Sequence, residues 1–146
     1  MGYWGKSVKN SLLLAGTLSI SACTTLSSPL PTPYSAIAGT WGFREIDECS
    51  INPRDFVFSR DLRTMSAVHD EVAEAGDGDL RKIFRYQVLS SSTNSLHLSL
   101  DGETRLDAAG RPVTWHLSVF EDGTLRWRQD DWPAGEYTSE LVRCEI

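Results

Sequence analysis

Lysine is nearly missing from this chain. Of its 14 basic residues only Lys6, Lys9 and Lys82 are lysines, and two of these fall within the opening ten positions. No basic stripe runs through the rest, so nothing is present to neutralise a row of phosphates, and nucleic acid is excluded as an expected partner. The same shortage argues against a domain that grips anionic headgroups directly. A long apolar run is missing too. The most apolar stretch, Ser11 to Ile20, falls well short of the ~20 residues that a membrane-spanning helix needs.

Motifs of several enzyme classes are also absent. There is no Gly-x-Ser-x-Gly elbow and no glycine loop of the phosphate-cradling type. His69, His97 and His116 stand too far apart to form His-Glu-x-x-His, although strands could bring two of them together, and no metal site or cofactor is expected. On alternating strands His97 and His116 have the opposite parity to the leucines and Trp115, which assigns them to solvent. Asp77 and Asp79 lack the remainder of a twelve-residue calcium loop and read as turn residues. Asp130 and Asp131 are adjacent, so on a strand they point to opposite faces rather than flanking one glycosidic bond. No catalytic residue is identified, and the chain is not expected to be an enzyme.

The features that are present begin at the N-terminus. Lys6 and Lys9 precede the apolar stretch, which ends in Ile20-Ser21-Ala22-Cys23. This is the three-part layout of a secretory signal. The last four residues resemble the bacterial lipobox. That resemblance implies that residues 1–22 are a signal peptide, that the Cys23 thiol receives diacylglycerol, and that cleavage leaves Cys23 as an acylated, palmitate-bearing N-terminus. An ordinary signal peptide with a chance cysteine is the alternative, whereas myristoylation at Gly2 fails because Lys6 stands where Ser or Thr is needed. Two or three acyl chains hold a protein on a membrane far more firmly than one. Lipoproteins of this kind stay in the inner membrane mainly when Asp follows the cysteine. Thr24 follows here, so the expected address is the periplasmic face of the outer membrane.

Residues 23–36 read as a lipidated, flexible tether, with three prolines set among serines and threonines and no apolar period. Residues 37–146 then form one domain. Loss of Lys6 and Lys9 with the signal takes the formal net charge from −6 to −8. With Cys23 acylated, Cys49 and Cys144 remain as an even pair in a disulfide-permissive compartment, or else as two buried thiols.

Within 37–146 apolar residues alternate with period two, broken by turns every eight to a dozen residues. The strand candidates are Thr40–Asp47, Asp55–Ser59, Thr64–Asp70, Lys82–Ser90, Leu96–Leu100, Val113–Val119, Leu125–Arg128 and Tyr137–Cys144, with Asp122-Gly123 as a hairpin turn. With no long helical pattern between them, these predict an all-β fold: a small antiparallel eight-stranded up-and-down barrel or a curled sheet. In a closed barrel the last strand meets the first, which would bring Cys144 beside Cys49.

Gly39-Thr40-Trp41 resembles the Gly-X-Trp signature that opens the first strand of lipocalins, and Arg143 resembles the arginine that packs over that tryptophan. The resemblance implies a lipocalin-like barrel with a structural Trp41–Arg143 pair closing one end and an apolar cavity. Tyr86, Trp115 and Trp127 share parity with aliphatic neighbours and are the candidate ligand-binding residues, unless they simply fill the core. Trp132, in the Trp132-Pro133-Ala134-Gly135 loop, is the candidate protein contact. The function expected first is binding of an apolar small molecule or lipid. A periplasmic protein-binding module, such as a protease or lysozyme inhibitor or an envelope scaffold, is the alternative.

Overall fold

From Gly39 onward the alternation of apolar and polar residues lays down short strands, each joined to the next by a turn. The computed structural model describes residues 30–74 and 78–145. In chain order the elements are a one-turn helix α1 (Tyr34–Ile37), strand β1 (Gly39–Phe43), a 3-10 turn (Arg44–Ile46), helix α2 (Glu48–Ile51) and strand β2 (Arg54–Phe58). There follow β3 (Thr64–Glu74), β4 (Leu80–Ser91), β5 (Ser95–Leu100), β6 (Trp115–Val119), β7 (Leu125–Gln129) and β8 (Leu141–Arg143). Each strand is antiparallel to its neighbours and β8 returns to β1, giving a closed eight-stranded up-and-down barrel without a free sheet edge. No helix among the described residues is long and apolar enough to cross a membrane.

Several predicted boundaries shift for local reasons. The alternation predicts a first strand reaching Asp47, yet β1 stops at Phe43 because Arg44–Ile46 wind into the 3-10 turn and Asp47 takes a left-handed φ of 49°. The last strand is shorter than predicted because Thr138 is drawn onto β7, its amide donating to the Trp127 carbonyl at 2.8 Å and its hydroxyl accepting from the Trp127 amide at 3.0 Å. The Asp122-Gly123 turn does join β6 to β7, with Gly123 at φ 81° and the Asp122 carboxylate accepting from the Thr124 amide and hydroxyl.

Cys23 and the lipobox-like residues lie outside the described residues, as does Asp77. The segment read as tether contributes to the fold at its C-terminal end: Pro33 is fully buried, and Tyr34 packs edge-on against Phe58 with ring centroids 5.1 Å apart. The boundary drawn at Ile37 falls inside α1, whose first residue, Tyr34, finds an apolar partner in Phe58. Asp79 pairs with Arg81 at 2.9 Å.

The core occupies the barrel end reached by α1. Ile37, Trp41, Phe56, Met65, Leu96, Leu98, Leu117, Leu125 and Leu141 are fully buried. Each fully buried Leu or Ile side chain stabilises the fold by about 1.5–3 kcal/mol relative to exposure. The α1 turn stops this end of the barrel, and the Trp41 indole N–H donates to the Ile37 carbonyl at 2.7 Å.

The seam is asymmetric. β1 and β8 share three residue pairs, Trp41 opposite Arg143, Gly42 opposite Val142 and Phe43 opposite Leu141, whereas β7 meets β8 only at Leu125 opposite Leu141. A disulfide between Cys49 in α2 and Cys144 after β8 reinforces the seam, with Cα atoms 5.4 Å apart across a sequence separation of 95. Gly42 makes that approach possible, since a Cβ there would sit 2.5 Å from the Cys49 amide nitrogen.

Candidate functional site

Above the leucine layer, at the barrel end opposite α1, side chains do not fill the interior. A cavity of about 470 Å³ opens there, within the ~300–1,000 Å³ typical of small-molecule sites. Its wall is aromatic: Phe43, Phe84, Tyr86, Trp115 and Trp127 line it, Ala67 and Leu100 form the floor, and the exposed Ile46 stands at the rim. Strand parity explains the wall. Tyr86 shares a face with Phe84 on β4, Trp115 with Leu117 on β6, and Trp127 with Leu125 on β7.

The three aromatic residues singled out by parity do come together. Tyr86 stacks on Trp127 with centroids 5.3 Å apart, and Trp115 meets Trp127 edge-on at 6.3 Å. The Tyr86 phenol is pushed up to about 12, chiefly by burial, so it remains a neutral hydroxyl facing the cavity. Trp132 does not line the cavity. It is half-buried and rests edge-on against Trp115 at 6.0 Å, because the turn after β7 folds back instead of projecting.

Parity also turns charged residues inward, which the sequence pattern alone does not mark. Arg54 shares its face of β2 with Phe56, and His69 shares its face of β3 with Met65 and Ala67. Arg54 and His69 are direct partners across β2–β3. The Arg54 guanidinium pairs with Glu48 of α2 and lies 4.7 Å from the Phe43 ring centroid, while Glu48 also accepts from the Phe43 amide at 2.8 Å. The buried Arg54 Nε has no hydrogen-bond partner among the described residues. His69 is buried, with Nδ1 3.0 Å from the Asn52 carbonyl, and burial lowers its pKa, so the neutral ring donates this bond.

A second ion pair borders the cavity at the β5–β6 connection. Arg105 grips Glu103 with two nitrogens, at 2.7 and 3.0 Å, and lies 4.8 Å over the Trp115 ring. The Trp115 indole N–H donates to the same carboxylate at 3.0 Å. Burial raises the Glu103 pKa, but the hydrogen bonds from Arg105 and Trp115 outweigh it and hold the carboxyl below its ordinary range. Two ion pairs, Glu48–Arg54 and Glu103–Arg105, thus border the cavity. An occupant meets an aromatic surface with a few fixed polar groups at its edges.

On the outer face of the same wall, His97 of β5 and His116 of β6 are directly opposed, with rings parallel to within 3° and centroids 4.4 Å apart. Their placement outside the barrel follows the alternation. The meeting with Asp130 does not: His116 Nε2 lies 2.9 Å from Asp130 Oδ1, and one ligand-type atom from each of the three residues falls within 4.8 Å of the others. Burial, followed by the neighbouring His116, lowers the His97 pKa. Asp131 takes no part and accepts from Gln129 at 2.7 Å.

No protein-family model matches the chain, and neither the curated proteins nor the solved structures contain a significant match.

Proposed function

We propose that this barrel is a binding module for a small apolar or amphipathic molecule or a lipid, carried by a cell-envelope lipoprotein, rather than a catalyst. The observation that carries the reading is the cavity of about 470 Å³ behind Tyr86, Trp115 and Trp127. A small barrel otherwise fills itself with side chains, as this one does around its leucine layer. Two flat indoles and a phenol provide contact area at small entropic cost, and the buried ion pairs at the edges supply orientation. The lipobox-like Ile20-Ser21-Ala22-Cys23 supports attachment through Cys23 to the periplasmic face of the outer membrane.

Native mass spectrometry of protein purified from its own membrane tests the binding reading. A co-purifying small molecule, lost when Trp127→Ala is introduced, supports it. A stoichiometric protein partner, with no small molecule retained, overturns it in favour of an inhibitor or scaffold. The anchor has its own test. If Cys23→Ser still incorporates labelled palmitate and still fractionates with membrane, the lipoprotein assignment is wrong.

A further inference from the structure

We infer that His97, His116 and Asp130 form a surface binding site for a divalent transition-metal ion, with Zn²⁺ the best chemical fit. Two imidazoles and one carboxylate are the donor types that zinc takes, and three protein ligands with a position left to water make an open site. The β5–β6 register sets His97 directly opposite His116, and Asp130 follows β7, the next strand of the same sheet. Backbone hydrogen bonding holds the three together: the Asp130 amide donates to the Thr114 carbonyl at 2.9 Å, one residue before β6.

Both imidazoles direct Nε2 toward this junction. His97 Nε2 lies 2.7 Å from the Thr114 hydroxyl oxygen, and His116 Nε2 lies 2.9 Å from Asp130 Oδ1. Three ligand-type atoms within 4.8 Å of one another need only side-chain rotation to reach the ~2.0–2.2 Å bonds of a zinc centre. Arg128, opposite His116 on β7, donates to the Trp132 carbonyl. A surface hollow of about 200 Å³ lined by Thr114, Asp130 and Asp131, and by Arg111 paired with Asp107, adjoins the cluster and gives a hydrated ion access.

The cluster is on the outside of the wall that carries Trp115 and Trp127, so this inference stands apart from the cavity reading. An ion bound there would cross-link β5, β6 and the end of β7.

The test is calorimetric titration of metal-stripped, tag-free protein with ZnCl₂, in a Cys23→Ser background that removes the one thiol outside the disulfide. Thermal unfolding with and without zinc is followed in parallel. One equivalent should bind, raising the unfolding temperature. His97→Ala and His116→Ala should each weaken binding at least about tenfold and abolish that rise, while Asp130→Asn should weaken it less. Asp61→Asn, in the turn between β2 and β3, should bind as the parent does. The inference is overturned if the parent shows no saturable binding, or if the folded His97→Asn/His116→Asn double variant retains the parental affinity.

Discussion

Arg143 and Trp41 are opposite each other across the β1–β8 seam, and the guanidinium lies 4.4 Å over the indole ring. Its two terminal nitrogens also donate to the Ala36 and Ala38 carbonyls, at 2.9 and 3.0 Å. One side chain therefore fastens the last strand, the first strand and α1. A lysine could supply the charge but not two separated, planar donors. Arg143→Lys is expected to lower unfolding free energy by about 1–2 kcal/mol in urea titration. An unchanged midpoint would show the contact to be ornamental.

The disulfide closes the same seam from the other side of β1, across a separation of 95 residues. Replacing both cysteines, as Cys49→Ser/Cys144→Ser, is expected to destabilise by about 2–5 kcal/mol, because a loop this long is freed in the unfolded chain. Urea unfolding of parent and variant under non-reducing conditions measures it.

The cavity can be filled from its floor. Ala67 points inward with 2 % exposure and lines the space, so Ala67→Phe would occupy part of it. An environment-sensitive apolar dye that brightens with the parent should stay dark with this variant, while far-UV circular dichroism is unchanged and stability falls by about 1–3 kcal/mol. Equal dye response in both proteins would place the dye elsewhere.

His69 gives a pH dependence with a definite sign. Burial, the largest cause, lowers its folded-state pKa below the ordinary 6.5, with Arg54, Glu48 and Asp55 as the charged groups acting on it. Above that value both states hold a neutral ring and stability is intact. As pH falls below it the unfolded chain takes the proton first, so stability declines until the folded protein also protonates. The stability difference between the parent and His69→Gln should be flat above about pH 7 and shrink toward about pH 5. A difference constant throughout would mean that His69 does not titrate differently on folding.

Much of the barrel is legible in the sequence because a period of two has physical meaning on each strand. Leu96, Leu98 and Leu100 announce an inner face, and Tyr86, Trp115 and Trp127 can be assigned to it by counting. The same counting reaches His69, which shares a face with Met65 and Ala67, whereas Arg54 falls one residue before the predicted strand Asp55–Ser59 and shares its face with Phe56 only once β2 is seen to begin at Arg54. Their inward placement is not read from the sequence because a charged or imidazole side chain counts as solvent-facing unless its partner is known, and Glu48 comes from a helix folded in from outside the ladder. The His97–His116–Asp130 cluster depends on register between strands. Register is set by turns and bulges, such as the shift between Val88 and Ser90, that parity on a single strand does not encode. Trp132 reads as exposed because its neighbours are turn residues, whereas its half-burial depends on Trp115.

The plug formed by α1 also orients the domain. The chain enters the described structure at Leu30 and meets the barrel at the stopped end, while the aromatic cavity opens at the other end, beside Ile46. Under the proposed attachment through Cys23, the chain would join the barrel from its base side, away from the mouth. A ligand would then be met from the surrounding fluid, not drawn directly from the surface beneath. In such a geometry the length of the segment before α1 governs how far into that fluid the mouth can sample.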